Sequence, residues 1–181
     1  MIHWLISATR VLPMAVYKTV FELDYEAYRE HYDTVIYDLD NTLLPYDDST
    51  VTDQIYQLFE TLSTLDYKVM IVSNSTSARV QATAEALGVP WIKSAKKPLK
   101  GAFFKALKHL GSTPKKALFI GDQLMTDVWG ANRAGLNPIL VRAIKRKSEK
   151  WYTRLNRRLE QKMLIKLSRI EPEKAKEIQT L

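Results

Sequence analysis

Short apolar runs alternate with helix-like spacings of apolar residues along most of the chain. Five runs rich in β-branched or aromatic residues predict buried strands, at residues 34–37, 68–72, 91–92, 117–120 and 138–141. Between them, apolar residues recur every three or four positions, which predicts helices over 51–65, 77–87, 99–110 and 124–134. A further helix is predicted directly after Asp24, a typical N-cap residue.

The alternation of strands and helices predicts an α/β fold, a doubly wound parallel sheet with right-handed crossovers. In such sheets, ligands bind beyond the carboxyl ends of the strands. The segments that follow the predicted strands are all polar or charged, and we expect them to meet at one rim. They are residues 38–42, 73–74, 96–97 and 121–127.

The composition is that of an ordinary globular protein. The 181 residues, 46% of them hydrophobic, suffice for one domain with a core. The chain has no cysteine, which excludes disulfides, thiolate metal sites and a cysteine nucleophile, and suits a reducing cytoplasm. No apolar run approaches the roughly 20 residues of a transmembrane helix. The apolar N-terminus is interrupted by Arg10, Pro13 and Lys18, so we expect no signal peptide.

The positive charge is concentrated at the C-terminal end. Residues 1–141 hold 14 Lys and Arg against 15 Asp and Glu, a net charge of −1. Residues 142–181 hold 13 against 5, a net charge of +8. We therefore expect a main domain, residues 1–145, followed by a basic helical tail, residues 146–181, which an anionic partner would meet first.

The tail has the pattern of a basic amphipathic helix. Its apolar side is formed by Trp151, Tyr152, Leu155, Leu159, Met163, Leu167 and Ile170. Its other side and edge carry Arg154, Arg157, Arg158 and Arg169. We favour packing of the apolar side on the domain or on a second subunit, and direct contact with an anionic membrane is the alternative. For the apolar N-terminal segment we likewise favour core packing over lipid contact.

The first rim segment carries two carboxylates, Asp38 and Asp40, directly after a buried strand. Carboxylates this close repel each other unless they share a cation or a proton. Asp122 and Asp127 reach the same rim from the fourth strand. A site of oxygen ligands without His or Cys favours Mg²⁺.

These residues match the needs of phosphoryl transfer, namely a nucleophile, a proton carrier and positive charge. Asp38 is the candidate nucleophile and Asp40 the candidate acid and base. Ser73, Thr42 and backbone amides are candidates to hold the phosphoryl oxygens, and Lys97 with Mg²⁺ to neutralise their charge. The simpler alternatives are a polar turn after the first strand, a helix-capping Ser73, a surface Lys97 with Lys96 in its place, and an Asp127 that only begins a helix.

Four motifs occur in the order and strand context of a known superfamily. Asp-x-Asp-x-Thr at 38–42, Ser-Asn at 73–74, Lys-Pro at 97–98 and Gly-Asp-x-x-x-x-Asp at 121–127 resemble the haloacid dehalogenase (HAD) phosphatases. The resemblance implies a nucleophilic Asp38, an acid and base in Asp40, and phosphate binding by Ser73 and Lys97. We expect Thr42 and Asn74 to bind phosphate beside them. The resemblance also implies that Mg²⁺ is held by the side chains of Asp38 and Asp122 and the backbone carbonyl of Asp40, with Asp127 in support.

The spacing of the motifs leaves no room for a cap domain. Thirty residues separate Thr42 from Ser73, and 23 separate Ser73 from Lys97. The chain therefore resembles the capless members of the superfamily, whose open site suits a bulky substrate such as a macromolecule or a lipid headgroup.

A closer resemblance spans about residues 13–169. The segments 121–128, 130–135 and 153–157 are similar to the bacterial YqeG family, which is itself similar to phosphatidylglycerophosphate phosphatases. The resemblance implies a phospholipid-synthesis enzyme that removes phosphate from an anionic lipid headgroup, in the cytoplasm at the inner face of the cell membrane.

Two other functions stay open from the sequence. The same chemistry would serve a soluble phosphomonoester, a phosphoprotein or a nucleic-acid end. Alternatively, the +8 tail fits a module that docks on membranes or RNA and has a vestigial active site. The intact acidic and lysine motifs disfavour the second function, and nucleic acid is the less favoured partner. A response-regulator receiver is disfavoured because its phosphorylated Asp follows a later strand.

Overall fold

The computed structural model describes residues 8–144 and 151–181 of the chain, with the side chains of residues 9–144 and 158–181. Within these residues one sheet of six parallel strands forms the centre, in the order β1-β6-β5-β2-β3-β4. The strands are β1 (Ala15–Tyr17), β2 (Thr34–Tyr37), β3 (Lys68–Val72), β4 (Trp91–Ile92), β5 (Ala117–Gly121) and β6 (Asn137–Val141). The predicted α/β fold with a parallel sheet is confirmed.

Helices connect the strands and cover both faces of the sheet. They are α1 (Tyr25–Arg29), α2 (Asp53–Thr64), α3 (Ala78–Ala86), α4 (Gly101–Leu110), α5 (Trp129–Ala134), α6 (Trp151–Ile170) and α7 (Pro172–Gln179). Short 3-10 helices occupy Ala8–Val11, Val20–Glu22 and Pro114–Lys116, and a π-helix occupies Leu124–Val128. The predicted helix over 124–134 is thus this π-helix followed by α5.

Local sequence explains where these helices begin and end. Asp24 caps α1, since its Oδ1 accepts a hydrogen bond from the Ala27 N–H at 3.0 Å. Ser77 caps α3, since its Oγ accepts from the Arg79 N–H at 3.1 Å. Gly111 ends α4 with a φ of 58°, in the left-handed region that glycine adopts at low cost.

Side chains of the central strands alternate between two apolar layers. In β2, Val35 and Tyr37 face the layer that α2 and α3 cover, which includes Phe59. Ile36 faces the opposite layer, under α4 and α5, which includes Phe103. Burial on both faces explains why the central strands are continuously apolar, and it leaves their carboxyl ends as the polar rim.

The N-terminal segment supplies an edge strand that the sequence pattern does not reveal. β1 pairs in parallel with β6, with Ala15 opposite Ile139. It is only three residues long and half-buried, so it lacks both alternation and a long apolar run. Val11, just before it, is fully buried, which confirms core packing for this part of the segment. Trp4 and Leu5 lie outside the described residues.

The tail packs on the domain. Met163 and Leu167 of α6 are buried with Leu124, Val128 and Leu140, on the side of the sheet that α4 and α5 cover. This confirms packing for the described part of the apolar stripe. Ile170 is an exception at 56% exposed, because α6 ends there and the chain turns into α7, a helix that was not predicted.

Several predictions about the tail lie partly outside the described residues. Residues 145–150 and the side chains of residues 151–157 lie outside the described part of the chain, so the domain boundary at residue 145 stays a prediction. Arg158 and Arg169 are exposed, as expected. In the described ranges, no helix combines the length and apolarity that crossing a membrane requires.

Candidate active site

Two buried aspartates lie side by side where the central strands end. Asp38 directly follows β2 and Asp122 directly follows β5, and these two strands are neighbours in the sheet. The Asp38 N–H donates to the Ile120 carbonyl at 2.9 Å, which continues the β2–β5 ladder to the first residue of the loop. The two residues are only 4% and 3% exposed. Because the two strands are parallel and adjacent, both carboxylates lie at the same point of the rim.

Lys97 connects the acidic residues of this rim. Its Nζ lies 2.7 Å from Oδ1 of Asp38 and 2.7 Å from Oδ1 of Asp127. It also lies 5.1 Å from the ring centroid of Phe119. Burial acts to lower the pKa of Lys97, but Asp127 and Asp38 outweigh it and raise the pKa above its ordinary value. Lys97 is therefore a buried ammonium at neutral pH. Lys96 is exposed, so it does not take this place.

Asp38 sits in an environment with an excess of negative charge. Burial raises the pKa of its carboxyl to about 7, Lys97 opposes this rise, and Asp127 and Asp122 add to it. The ammonium group of Lys97 contacts two of these three carboxylates, those of Asp38 and Asp127. The excess is what a bound cation would compensate.

The same carboxylates fit a hard divalent cation. Asp38, Asp122 and Asp127 each offer one buried oxygen, and these oxygens lie within 4.8 Å of one another. Carboxylate oxygens without histidine or cysteine are the donors that Mg²⁺ prefers. The side chain of Asp40 is directed elsewhere, to Arg79 and Ser73. A ligand role for Asp40 would therefore use its backbone carbonyl, as the resemblance implies.

The loop after Asp38 turns tightly under the site. The N–H groups of Leu43 and Leu44 both donate to the Leu39 carbonyl, at 3.1 and 3.2 Å, and Asn41 adopts a φ of 63°. The Thr42 hydroxyl is buried, and no described residue hydrogen-bonds to it. A buried hydroxyl without a partner is costly, and an incoming phosphoryl oxygen would satisfy it.

Ser73 follows β3 at the same rim and is 1% exposed. Its Oγ accepts a hydrogen bond from the Ser75 N–H at 3.1 Å. The same oxygen lies 3.4 Å from Oδ2 of Asp40, a long contact. The hydroxyl proton of Ser73 is thus held only weakly and is available to a stronger acceptor in the site.

Asn74, next to Ser73 at the rim, makes two hydrogen bonds to Lys97. Its Oδ1 accepts from the Lys97 N–H at 2.7 Å, and its Nδ2 donates to the Lys97 carbonyl at 3.1 Å. Both ends of its amide are therefore engaged with the backbone of one residue. The side chain of Asn74 therefore holds the backbone of Lys97 in position, and the phosphate-binding role of Asn74 stays a prediction.

Comparisons with known proteins agree with this geometry. The family model of haloacid dehalogenase-like hydrolases matches residues 9–135. The chain is 38% identical over 159 residues to the "Probable phosphatase YqeG" of Bacillus subtilis, covering 87% of this chain and 92% of that protein. The chain belongs to the haloacid dehalogenase-like hydrolase family. The predictions of this family and of a HAD phosphatase are confirmed.

More distant relatives extend the comparison. The chain is 26% identical over 164 residues to the Arabidopsis thaliana protein "Phosphatidylglycerophosphate phosphatase 1, chloroplastic/mitochondrial", covering 85% of this chain but only 47% of that longer protein. Among solved structures, a putative HAD family hydrolase from Streptomyces avermitilis has a TM-score of 0.53 at 20% identity, covering 65% of this chain and 76% of that one. An uncharacterised Listeria monocytogenes protein has a TM-score of 0.51 at 20% identity, covering 65% and 84%. These two structures support the HAD-like fold.

One residue of this HAD site lies outside every motif. Arg79, in the first turn of α3, forms an ion pair with Asp40. Its Nη1 also donates to the carbonyls of Pro45 and Asp48, at 3.0 and 2.6 Å. The signal in the sequence is weak. An arginine in the first turn of a helix is unfavourable for the helix dipole, so its placement there points to a tertiary partner.

The described residues agree with the prediction that this HAD site has no cap domain. Between β2 and β3 the chain forms only the loop of residues 38–52 and α2, and between β3 and β4 it forms only α3. Neither connection contains a separate cap. The loop that Arg79 holds through Pro45 and Asp48 is the element of the rim that lies closest in sequence to Asp38.

Proposed function

We propose that this HAD phosphatase hydrolyses phosphate monoesters through a covalent phosphate on Asp38, with Mg²⁺ as its cofactor. The observation that carries the proposal is the contact between Asp38 and Lys97 within the group of buried carboxylates of Asp38, Asp122 and Asp127. This arrangement offers a nucleophilic oxygen, a fixed cation and a metal site at the same point, as in-line phosphoryl transfer requires.

The first half of the reaction transfers the phosphoryl group to the enzyme. A carboxylate oxygen of Asp38 attacks phosphorus while the bond from phosphorus to the leaving oxygen breaks. Asp40, in its protonated form, donates its proton to the leaving oxygen, so the product departs as an alcohol. The hydroxyls of Thr42 and Ser73 and the ammonium of Lys97 hold the phosphoryl oxygens and compensate their charge.

The second half regenerates the enzyme. Asp40, now a carboxylate, takes a proton from a water molecule, and the water oxygen attacks phosphorus. The bond from phosphorus to Asp38 breaks and inorganic phosphate is released. Arg79 holds Asp40 in place for both transfers, and Asn74 holds Lys97.

Asp38, Asp122 and Asp127 are the side chains that would hold the metal ion, together with the backbone carbonyl of Asp40. When bound, Mg²⁺ supplies positive charge to the phosphoryl oxygens as they approach Asp38. Its charge would also offset the repulsion between the three carboxylates, which Lys97 alone does not fully compensate.

We propose phosphatidylglycerophosphate as the substrate and phosphatidylglycerol as the product. The Arabidopsis relative, which carries that activity in its name, supports this substrate. The open rim, where the described connections between β2 and β4 contain no separate cap, also suits a headgroup that projects from a bilayer. We propose that the enzyme acts in the cytoplasm, in peripheral contact with the inner face of an anionic cell membrane.

The test measures phosphate release from phosphatidylglycerophosphate in mixed micelles with Mg²⁺, for the wild type and for Asp38→Asn. We expect the variant to lose at least about a thousandfold in kcat, since it lacks the nucleophile. Asp53→Asn, an exposed carboxylate at the start of α2, is the matched control and should retain full activity. Chelation of Mg²⁺ should abolish turnover, and adding Mg²⁺ back should restore it.

Two results would overturn separate parts of the proposal. Full activity of Asp38→Asn would exclude the covalent mechanism. Robust turnover of soluble phosphomonoesters, with none of the lipid, would exclude the substrate and leave the chemistry in place.

A further inference from the structure

A second cationic site lies outside the active site, between the N-terminal segment, the start of α4 and the end of α5. A cavity of about 440 Å³ is lined by Arg10, Lys100, Asn132 and Arg133. Three of the four lining residues are cations and none is an acid. Within residues 8–144 and 151–181, no ion pair is formed by any of these three cations. The cavity therefore concentrates positive charge that a bound anion would neutralise.

The walls of this cavity are fixed by hydrogen bonds. Nδ2 of Asn132 donates to the carbonyls of Arg10 and Leu12, at 3.0 and 2.9 Å, which holds the N-terminal segment against α5. Nη1 of Arg133 donates to the Pro98 carbonyl at 3.1 Å. The guanidinium of Arg133 and the backbone of Arg10 are thus held in place, which preorganises part of an anion site.

The N-terminus of α4 contributes to the same cavity. Lys100 is the N-cap residue of this ten-residue helix. The first N–H groups of a helix and its dipole favour a negative group at this end. The helix end thus adds to the attraction of the three side chains for an oxyanion.

Two exposed apolar side chains lie close along the chain to Lys100, one of the residues that line the cavity. Leu99 precedes Lys100 and is 55% exposed, and Phe104 is 47% exposed. The Phe104 N–H donates to the Lys100 carbonyl at 3.1 Å, which places the two residues one helical turn apart. Basic residues beside exposed leucine and phenylalanine are typical of surfaces that lie in a membrane interface. The phosphates of a nucleic acid would bind the cations, but a nucleic acid has no apolar phase into which Leu99 could insert.

This face is joined directly to the catalytic lysine. Leu99 and Lys100 follow Lys97 after a single residue, Pro98, whose carbonyl Arg133 binds. Three residues of extended chain span at most about 11 Å. A surface that engages Lys100 therefore lies within a short length of chain of the lysine that contacts Asp38.

We propose that Arg10, Lys100 and Arg133 bind the phosphate group of an anionic bilayer lipid, with Leu99 and Phe104 inserted beside it. These five residues form the docking face. The inference deepens the proposed function, because it names the face by which the open site meets a bilayer. It also limits the role of the basic tail, whose Met163 and Leu167 pack on the domain.

The experiment measures binding to vesicles without turnover. The Asp38→Asn protein is floated with vesicles of phosphatidylcholine that contain about one third phosphatidylglycerol, and with vesicles of phosphatidylcholine alone. Lys100→Glu is compared with Lys115→Glu, which makes the same charge change in the exposed turn before β5, at the opposite end of the strands. Leu99→Ser and Phe104→Ser are compared with Tyr56→Ser on α2, which is 44% exposed.

We expect binding to the anionic vesicles only. Lys100→Glu replaces an attractive charge with a repulsive one and should weaken this binding by about 30-fold. Leu99→Ser and Phe104→Ser should each weaken it by about fivefold or more. Lys115→Glu and Tyr56→Ser should stay within about twofold of the parent. With Asp38 restored, Lys100→Glu should keep wild-type turnover of soluble p-nitrophenyl phosphate, which separates a docking defect from a defect of the active site.

Equal effects of Lys100→Glu and Lys115→Glu would overturn the docking face, since the binding would then follow net charge or the tail. Tighter binding of a single-stranded RNA than of the anionic vesicles, lost in Lys100→Glu, would also overturn it in favour of a nucleic-acid partner. Either result leaves the proposed chemistry at Asp38 untouched. Conversely, activity measurements that exclude the proposed mechanism at Asp38 would leave the vesicle-binding result unchanged.

Discussion

The guanidinium of Arg79 pairs with the carboxylate of Asp40 across the rim of the sheet. The same side chain binds two carbonyls of the loop that follows Asp40. Nearby Asp38 also interacts electrostatically with this guanidinium. Arg79 therefore orients the proposed acid, fixes the loop beside it and brings positive charge towards the nucleophile.

We predict that Arg79→Ala lowers kcat/KM by about 100-fold, the size expected for loss of one preorganised charged donor. Arg79→Lys should recover part of the activity, because it restores the charge but not the planar fork of donors. Steady-state rates with an alkyl phosphate and with p-nitrophenyl phosphate check the role. The loss should be larger for the alkyl phosphate, whose leaving group depends more on a correctly placed acid.

The matched control for this prediction is Arg29→Ala. Arg29 also binds backbone carbonyls, those of Leu65 at 2.7 Å and Asp66 at 3.4 Å, but it lies far from Asp38 in the fold, before β2. We expect this variant to lose stability without losing kcat/KM. Equal kcat/KM for Arg79→Ala and the wild type would contradict a functional role for Arg79.

A second prediction concerns Gly121, the last residue of β5. A Cβ at this position would lie 2.5 Å from Cγ and 2.6 Å from Oδ2 of Asp127. Gly121→Ala must therefore displace the carboxylate that holds Lys97, at a cost of about 1–3 kcal/mol in stability. We expect kcat to fall by at least about tenfold, measured alongside urea unfolding.

Gly101→Ala is the control for this substitution. A Cβ on Gly101 would meet nothing within 4 Å, and alanine is the better helix former by up to about 1 kcal/mol. We expect unchanged activity and equal or higher stability. Wild-type turnover in Gly121→Ala would show that the position of Asp127 does not matter to the site.

The third prediction separates the packed and exposed sides of α6. Met163 is 1% exposed and Ile165, two residues on, is 58% exposed. Met163→Ala should destabilise the protein by about 2–5 kcal/mol, since it opens a cavity against Leu124 and Val128. Ile165→Ala should change stability by no more than about 0.5 kcal/mol. Equal urea-unfolding midpoints for the two variants would contradict docking of the tail on the domain.

The parts of this site that the sequence predicts are those that depend on local pattern and parallel topology. Asp38 and Asp122 had to meet, because each follows a continuously apolar strand and the strands end at one edge. The position of Arg79 could not be predicted, because its partner Asp40 lies 39 residues earlier and in another element. The role of Asn74 depends on how the loop before Lys97 bends, with positive φ angles at Ser94 and Lys96.

The last prediction concerns stability at the amino-terminal end of the strands, opposite the active site. Oδ1 of Asp33 lies 2.6 Å from the Thr34 hydroxyl and 2.9 Å from the Ser112 hydroxyl, and Lys68 lies 3.7 Å from its Oδ2. Partial burial acts to raise the pKa of Asp33, but these partners outweigh it and hold the pKa below its ordinary value. A lowered pKa in the folded state stabilises the protein above the unfolded pKa of about 3.9, and this contribution is lost as the pH falls through the folded pKa.

We therefore expect Asp33→Asn to cost about 1 kcal/mol at about pH 6, and this cost should shrink towards about pH 3. Urea unfolding of both proteins across this range checks the sign. Asp66→Asn is the control, since the Asp66 side chain is fully exposed in its ion pair with Arg29 and asparagine tolerates its φ of 55°. A cost for Asp33→Asn that stays constant or grows towards low pH would contradict the inferred direction, because the carboxylate form would then not be the one that the fold stabilises.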